Sequence, residues 1–385
     1  MSVEELLRSR IRREGPLRFS DVVRIALYGE SGFYATGHGA GHRRDFVTSP
    51  EVGALFGTLI ASQLDVWWNG LGRPDPFLVA DCGAGPGTLA VSVLAARPEC
   101  APALRLVLVE SSVAFREAHR QRRLPLVDTN EFLGSVDSRA TRTAMGNAST
   151  DDEFDAHRIE GTGPLCASVE HLPQHEFHVI LANELLDNLP FDVVQRTATG
   201  WSETRVADDE HGLRTVQVPA TRELVELAGA KAPDAVVGDT IPVLVDARSW
   251  LADSLAQLVR GGRIVCIDYG ASTRELAKRG SGWLRTYRGH VRGHDPLSGL
   301  GACDITIDVP FDQLSPRPEL TMSQAEFLRT AGLDHLVAEA EATWREHASS
   351  GNLLALKAKS VGYEASVLCD PSALGAFSVL QWTKP

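Results

Sequence analysis

The sequence lacks the long apolar segments that membrane-spanning and secreted proteins carry. In its 385 residues no apolar run approaches the roughly 18 residues that a spanning helix needs. No secretory hydrophobic region opens the chain, and its 43% of apolar residues are enough for a sizeable buried core. We therefore expect a soluble, cytoplasmic protein without a membrane partner.

Cysteine is scarce, and its spacing gives no disulfide or zinc pattern. The six cysteines form no C-x-x-C pair and several lie in apolar runs, as is typical of buried free thiols in a reducing compartment. Among the histidines, His38 and His42 are four apart, as are His171 and His175, with His178 three beyond. Neither group has companion ligands on a helical frame, so we interpret them as loop or surface residues and expect no metal site.

Positive charge is in deficit. Lysine and arginine total 38 against 50 acidic residues, which gives a formal net charge of -12. A protein that binds duplex nucleic acid needs a basic face to displace counterions, so we expect no nucleic-acid partner. No pattern in the sequence predicts an oligomeric state.

Residues 1–75 predict a helical extension or cap. Within them Ser49 is the expected N-cap of a helix, Pro50 its first-turn residue and Glu51 an acid that faces the helix dipole. Apolar residues follow at helical spacing and predict one buried stripe: Val52, Leu55, Phe56, Leu59, Ile60, Leu64 and Trp67.

From Phe77 onwards short apolar strands alternate with helices. Strands are predicted over residues 77–82, 104–109, 164–168, 178–183 and 263–268. Helices are predicted over 89–96, 112–122 and 249–259, the last of them ended by Gly261 and Gly262. This alternation predicts an α/β fold of the Rossmann-like type, with a parallel sheet covered by helices on both faces.

Two insertions interrupt the predicted core, which we assign to residues 76–310. A stretch at 135–163 is rich in small polar residues and poor in large apolar ones, so it predicts a polar surface insertion. A second inserted region spans 191–240 and begins with an antiparallel hairpin over 191–206, broken by Gly200. Residues 311–385 are expected to supply helices and a last strand that complete the core.

The strongest motif is the glycine loop after the first predicted strand. Gly83, Gly85 and Gly87 alternate with Ala84 and Pro86, in the spacing G-x-G-x-G. Alternating glycines let a backbone turn sharply and approach a ligand closely, and the helix that follows favours negative charge such as a carboxylate. A dinucleotide fingerprint requires G-x-G-x-x-G or -A instead. The spacing is therefore the form associated with S-adenosyl-L-methionine.

An acidic residue, Glu110, follows the next predicted strand. A carboxylate at that strand tip can accept hydrogen bonds from both hydroxyls of a ribose. An acid at a strand end can also be a turn residue or a cap. Together with the glycine loop, Glu110 favours a nucleoside-containing cofactor.

Two polar clusters follow later strands of the predicted sheet. Asn183, Glu184 and Asp187 come directly after one apolar strand, and Asp268 and Tyr269 come after another. Ligands of open α/β sheets bind beyond the carboxyl ends of the strands, so we expect these residues near the transferred group. The alternatives are a structural network with helix capping for the first cluster, and a turn with a packed tyrosine for the second.

With these motifs in order, the chain resembles the MidA-like class I methyltransferases. These are related to a mitochondrial complex I assembly factor that methylates a protein arginine. The matching segments extend over most of the chain: 15–20, 32–34, 45–51, 56–57, the glycine loop, 183–190, 267–270, 295–297 and 324–328. The chain departs from the family at Asp81, Cys82 and Ala84, where the family loop commonly reads Glu-Leu-Gly-Pro-Gly-x-Gly.

The resemblance implies a class I methyltransferase sheet and a function. S-adenosyl-L-methionine is the implied cofactor, held by the glycine loop, Glu110 and Asn183, with adenine contacts expected near Ser168 and Val169. A protein side chain such as arginine is the implied acceptor. If this chain comes from a eukaryote, the resemblance implies a mitochondrial location.

A guanidinium remains protonated at ordinary pH, so a carboxylate is needed to hold it and to take the released proton. We expect Glu184 and Asp187 in this role, with Asp268 in support. Thr48, Pro50, Glu51 and Tyr269 are expected to form the substrate wall or cap.

Two other functions fit parts of the pattern. One is a cofactor-binding assembly factor or chaperone without turnover, for which the surface would matter more than the carboxylates. The other is a nicotinamide-dependent oxidoreductase, which the glycine spacing disfavours.

Overall fold

The structure follows the strand–helix alternation of the sequence. The computed structural model describes residues 1–36, 48–132, 134, 163–288, 291–293, 295–350 and 352–385. Its strands are β1 (Leu17–Arg18), β2 (Phe77–Cys82), β3 (Leu104–Val109), β4 (Leu165–Val169), β5 (Phe177–Asn183), β6 (Phe191–Thr197), β7 (Gly200–Asp209), β8 (Gly212–Pro219), β9 (Thr240–Leu244), β10 (Leu258–Asp268), β11 (Gly270–Ala271), β12 (Leu284–Arg288), β13 (Val291–Gly293), β14 (Asp304–Ile307), β15 (Val309–Pro310), β16 (Leu320–Ser323) and β17 (Ser378–Thr383). Its helices are α1 (Val3–Glu14), α2 (Phe19–Tyr28), α3 (Ser49–Val52), α4 (Ala54–Gly70), α5 (Thr88–Ala95), α6 (Val113–Gln121), α7 (Arg222–Lys231), α8 (Asp246–Ala256), α9 (Thr273–Ala277), α10 (Gln324–Thr330), α11 (Leu333–His347) and α12 (Leu353–Leu368).

Some predictions fall on other parts of the chain. The predicted insertion at 135–163, apart from residue 163, and the loop that carries His38 and His42 lie outside the described residues.

The central sheet has seven strands in the order β16-β17-β10-β5-β2-β3-β4. The pairs from β10 to β4 are parallel, and β17 is antiparallel to both of its neighbours. The chain runs outward from β2 through β3 to β4 and then returns to β5, on the other side of β2. This reversal creates a topological switch point between β2 and β5, where open α/β sheets bind their ligands.

Alternate residues of β2 pack on opposite faces of the sheet. Leu78 and Ala80 belong to one buried apolar cluster, and Phe77 and Val79 belong to another. All six residues of β2 are buried, as expected for a central parallel strand covered on both sides. The predicted α/β sheet with two covered faces is therefore confirmed.

The cysteines are free thiols, as the sequence predicts. Four of them are buried, and Cys303 and Cys369 are half-buried. Within the described ranges, no helix is both long enough and apolar enough to cross a membrane.

The start of β10 differs from the sequence prediction. Helix α8 ends at Ala256, and Gly261 and Gly262 lie inside β10 rather than at the end of the helix. Gly261 has φ +77°, and the pairing of β10 with β5 shifts register between Leu258 and Arg263. The prediction that the glycines end the helix is wrong, because they form a local irregularity within the strand.

The inserted region forms a second sheet. Its order is β1-β7-β6-β9, with β8 paired to β7, so the predicted hairpin around Gly200 is confirmed. The N-terminal strand β1 joins this sheet through the pair Leu17 and Val206. Leu7 and Val22, from α1 and α2, share one buried cluster with this sheet. The division of the chain into three parts stays a prediction.

The apolar stripe that starts at Val52 is divided between two helices, α3 and α4. Thr48 is the N-cap of α3, and Gly53 interrupts the predicted helix before α4 begins, so the prediction of Ser49 as N-cap of one continuous helix is wrong. The Glu364 carboxylate of α12 fills this break and accepts a hydrogen bond from the Leu55 N–H at 2.9 Å. A Cβ at Gly53 would lie 2.2 Å from Glu364 Cδ. A side chain more than 300 positions away therefore caps α4.

We expect Glu364→Ala to lower the free energy of unfolding by about 1 kcal/mol, because it removes the acceptor for an N-terminal N–H of α4. Urea denaturation followed by circular dichroism measures the change. The matched control is Glu341→Ala on the exposed surface of α11, which should change stability by less than about 0.5 kcal/mol. An equal loss in both variants would contradict the capping role.

Candidate active site

A cavity of about 860 Å³ opens at the switch point of the central sheet. The loops after β2 and β5 form its floor, and α8 and the segment before α4 form two of its walls. The sequence-predicted residues that line it are Thr48, Pro50, Glu51, Gly83, Ala84, Gly85, Glu110, Asn183 and Glu184. The structure thus brings together residues that are up to 136 positions apart in the chain.

The glycine loop has a backbone that only glycine adopts readily. Gly83, Gly85 and Gly87 have φ values of +75°, +53° and +79°. A Cβ at Gly87 would lie 2.9 Å from the His119 ring, whereas a Cβ at Gly85 would meet no atom of the described residues within 4 Å. Gly85 lines the cavity, so its backbone is open to a ligand, while Gly87 packs below the loop.

His119 holds this loop from beneath. Its Nε2 lies 2.7 Å from the Gly85 carbonyl oxygen, and its Nδ1 lies 2.8 Å from Ser168 Oγ. A carbonyl can only accept, so Nε2 donates to Gly85 and, in the neutral ring, Nδ1 accepts from Ser168. Burial lowers the pKa of His119, which favours this neutral form. No sequence motif indicated His119, since a histidine on a helix has no distinctive spacing.

Two carboxyl groups lie beside the glycine loop. Glu110 accepts hydrogen bonds from the Gly85 N–H at 2.9 Å and the Ser112 N–H at 2.8 Å. Burial raises the pKa of Glu110 to about 7, although these two hydrogen bonds oppose the shift. Asp81 also lines the cavity, and its buried Oδ2 accepts no hydrogen bond from any residue that the structure describes. Burial, with a contribution from Glu110, raises the pKa of Asp81 to about 7.

Glu184 stands at the carboxyl end of β5 in a left-handed backbone conformation, with φ +52°. Its Oε1 accepts hydrogen bonds from the Ser49 N–H at 3.3 Å and from Asn183 Nδ2 at 3.1 Å. Burial raises the pKa of Glu184 to about 8, and the nearby Asp187 carboxylate adds to this shift. Among the described residues nothing donates to Oε2, which leaves one carboxylate oxygen of a cavity-lining residue for a ligand.

The structure does not bring Asp187 or Asp268 to the cavity. Asp268 is completely buried and accepts hydrogen bonds from the backbone N–H groups of Leu186, Asp187 and Tyr269 at 2.9, 3.3 and 2.8 Å. Asp187 Oδ2 accepts from Thr306 Oγ1 at 2.6 Å. The prediction that these two carboxylates face the acceptor is therefore corrected. Their hydrogen bonds stabilise the loop that presents Glu184.

Tyr269 is part of the same buried network and does not line the cavity. Its hydroxyl donates to Asp187 Oδ2 at 2.5 Å, and its ring lies 5.2 Å from the ring of Phe377. The packed-tyrosine alternative describes this placement, and the role of Tyr269 in the substrate wall stays a prediction.

The N-terminal wall is where the sequence predicts it. Thr48, Pro50 and Glu51 line the cavity, and the Glu51 carboxylate accepts a hydrogen bond from Thr88 Oγ1 at 2.5 Å. Thr88 is the first residue of α5, directly after the glycine loop. This contact joins the wall to the loop.

The two residues predicted near the adenine, Ser168 and Val169, lie just before the cavity wall, and their contact with the cofactor stays a prediction. Ser168 bonds to His119 and Val169 accepts the Glu110 N–H through its backbone, and neither residue lines the cavity. The cavity wall is formed instead by the next residues, Glu170, His171 and Leu172. The strand β4 ends one residue later than predicted, which moves the exposed strand tip beyond Val169.

Sequence reasoning also missed the aromatic part of the cavity. Tyr28 and Tyr34 line it with their rings stacked at 5.5 Å, and Trp250 lines it from α8. These residues lie far apart in the chain and in ordinary helical or turn contexts, so only the tertiary fold brings them together. His178, predicted as a loop or surface residue, lies in β5, where its Nδ1 accepts the Leu78 N–H at 3.0 Å.

Three comparisons with known proteins agree with this geometry. A model of a family of S-adenosyl-L-methionine-dependent methyltransferases matches residues 59–325. Protein arginine methyltransferase NDUFAF7 of Danio rerio, a mitochondrial protein, is 26% identical over 86% of this chain and 77% of its own length. The homologue of Drosophila melanogaster is 27% identical over 80% of this chain and 68% of its own length.

A solved structure has the same fold. A protein from Burkholderia thailandensis, described as a methyl transferase and crystallised with S-adenosyl-homocysteine, superposes on this chain with a TM-score of 0.76 at 24% identity. The superposition covers 99% of this chain and 91% of that chain.

The residues at the switch point fit S-adenosyl-L-methionine. The cofactor carries an ammonium group and a positive sulfur. The buried Asp81 Oδ2 is a carboxylate oxygen without a partner in the described ranges. Because the family model covers more than half of the sequence and the sheet, loop and cavity agree with it, the chain belongs to this S-adenosyl-L-methionine-dependent methyltransferase family, which confirms the MidA-like resemblance.

Proposed function

We propose that this methyltransferase transfers a methyl group to an arginine side chain of a protein. The observation that carries the proposal is a carboxylate, Glu184, whose Oε2 accepts no hydrogen bond from the described residues, in a cavity whose described lining is strongly acidic. The related proteins of Danio rerio and Drosophila melanogaster are named as protein arginine methyltransferases, which supports the same acceptor.

The charge of the cavity favours a cationic acceptor. Among the described residues its lining contains one arginine, Arg24, whose Nη2 lies 2.7 Å from Asp246. Against it stand seven acidic residues: Glu51, Asp81, Glu110, Glu170, Glu184, Asp246 and Asp253. A guanidinium that enters this lining would favour the ionised form of nearby carboxyl groups, because opposite charges at short range lower carboxyl pKa values.

Glu184 is suited to hold the reacting nitrogen and to take its proton. S-adenosyl-L-methionine supplies a methyl group on a positively charged sulfur. As the guanidinium nitrogen bonds to the methyl carbon, the bond from that carbon to sulfur would break and release S-adenosyl-homocysteine. The nitrogen would lose a proton, which we assign to Glu184 Oε2. A pKa of about 8 makes Glu184 a better proton acceptor than an ordinary glutamate and still leaves it partly ionised near neutral pH.

The cofactor residues follow from the same cavity. We assign the ribose to Glu110, the carboxylate-bearing end to the backbone around Gly85 and the N-terminus of α5, and the ammonium group to Asp81. Asn183 lines the cavity with a buried Oδ1 that accepts no hydrogen bond in the described part of the chain. It is therefore a further cofactor contact.

A cofactor-binding assembly factor without turnover is the second candidate function. It is favoured by the Glu184 pKa of about 8, because near neutral pH most Glu184 carboxyl groups would already carry a proton and could not accept another. Incubation with radioactive S-adenosyl-L-methionine and cell lysate distinguishes the two functions: label in protein supports the enzyme, and binding without label transfer supports the assembly factor.

The cytoplasmic location stays a prediction.

We expect Glu184→Gln to reduce methyl transfer to lysate protein by about 10² to 10⁴-fold, the usual contribution of a general base. Binding of S-adenosyl-homocysteine, measured by calorimetry, should be kept. The matched control is Glu176→Gln, an exposed glutamate just before the opposite end of β5, which should transfer methyl at the wild-type rate. Full activity of Glu184→Gln would rule out the proposed proton acceptor.

The rate of transfer should rise with pH, reach half of its maximum near pH 8 and level off above that pH. Glu184 acts in its ionised form, and its raised pKa means that this form is lost as the pH falls through about 8. Initial rates between pH 6 and pH 10 measure the profile. The small residual rate of Glu184→Gln should not follow the same curve, and a wild-type profile that is flat over this range would contradict the assignment.

Glu110→Ala should weaken binding of S-adenosyl-homocysteine at least about tenfold, because hydrogen bonds from two ribose hydroxyls to a carboxylate are lost. Isothermal calorimetry gives the dissociation constant. Glu117→Ala, on the exposed surface of α6, is the control and should bind normally. Unchanged affinity in Glu110→Ala, with an unchanged melting temperature, would place the ribose elsewhere.

A further inference from the structure

The side chain of Gln324, far from the cavity in sequence, lies at the centre of a buried contact. Gln324 begins α10 and is completely buried. Its Nε2 donates to the Leu368 carbonyl at 3.0 Å, at the end of α12. Since that carbonyl can only accept, the orientation of the amide is fixed, and Oε1 faces Ser49.

Ser49 connects this glutamine to the catalytic carboxylate. Its Oγ donates to Gln324 Oε1 at 2.9 Å, and its backbone N–H donates to Glu184 Oε1 at 3.3 Å. Ser49 is itself completely buried, between Thr48 and Pro50 of the cavity wall. Ser49 therefore links the two residues: its side chain contacts Gln324 and its backbone N–H contacts Glu184.

The contact decides which oxygen of Glu184 faces the ligand. Oε1 is occupied by Ser49 and Asn183, and Oε2 has no protein donor among the described residues. If the Ser49 N–H moved away, Oε1 would keep only the Asn183 side chain, and the carboxylate could rotate about its last torsion.

We infer that Gln324 is a positioning residue that, through Ser49, orients Glu184 toward the methyl acceptor. The inference rests on the proposed role of Glu184 as proton acceptor. Gln324 belongs to the segment 324–328, one of the segments that carry the family resemblance. The inference gives this segment a role in the reaction although Gln324 does not line the cavity.

A purely structural role for Gln324 is the competing explanation, and the chain offers a matched comparison. Gln313 is also buried, accepts a hydrogen bond from the Leu244 N–H at 3.0 Å and donates to the Pro242 carbonyl at 2.9 Å. It does not line the cavity. Replacement of either glutamine by methionine should lower stability, but only Gln324 is connected to Glu184.

The titration of Glu184 distinguishes the two explanations. Asp187 and Asp268 face Glu184 from the loop and from β10, and the Ser49 and Asn183 donors oppose the effect of burial and Asp187 on its pKa. From the N-terminal wall, Glu51 directs its Oε1 to Thr88. Loss of the Ser49 hydrogen bond should therefore raise the pKa of Glu184, whereas a general loss of stability should leave it unchanged.

The test is a ¹³C NMR titration of the full chain labelled at the glutamate carboxyl carbon, with the Glu184 signal identified by its absence in Glu184→Gln. We expect the midpoint to rise by about one pH unit in Gln324→Met, as for the loss of one charge-assisted hydrogen bond, and to stay at the wild-type value in Gln313→Met. Equal midpoints in wild type and Gln324→Met would overturn the inference.

A second variant keeps the inference testable if Gln324→Met does not fold. Ser49→Ala retains the backbone N–H but removes the hydroxyl that Gln324 holds, and it should also raise the midpoint. An unchanged midpoint in Ser49→Ala would contradict the connection. The titration needs no acceptor, so it can support the positioning role even if arginine proves not to be the substrate.

Discussion

The hydrogen bonds of the buried Asp268 carboxylate are the interaction on which the site depends. Asp268 at the end of β10 accepts the N–H groups of Leu186 and Asp187 and so fixes the loop that follows β5. Glu184 begins that loop with a left-handed backbone, a conformation that a non-glycine residue keeps only when its surroundings impose it. A buried structural carboxylate thus presents a second carboxylate to the cavity. Burial raises the pKa of Asp268, and the backbone N–H groups that donate to Asp268 offset part of this shift.

The cofactor side is organised in the same way, by residues beneath the surface of the cavity. His119 fixes the carbonyl of Gly85, and Glu51 joins the N-terminal wall to the first turn of α5. In both places a ligand-facing backbone is supported by a side chain from another element. Such support keeps catalytic groups within the narrow geometry that methyl transfer in line requires.

The sequence was sufficient for the sheet, the glycine loop and the residues at the strand ends, because these depend on local periodicity and on the known edge of a parallel sheet. It was not sufficient to separate Glu184 from Asp187 and Asp268, since all three follow strands and only the packing decides which carboxylate is exposed. The break at Gly53 depends on Glu364, and the position of Ser49 depends on Gln324. Contacts of that range leave no periodic signal in the sequence, and neither does the stacked pair Tyr28 and Tyr34.

At the switch point, we propose, an acidic cavity presents Glu184 to a guanidinium. The measurement that tests this most directly is the chemical identity of the labelled product after incubation of the protein with lysate and methyl-labelled S-adenosyl-L-methionine, followed by hydrolysis and mass analysis of the amino acids. We expect label in a methylated arginine. Label confined to another amino acid or to a small molecule would contradict it.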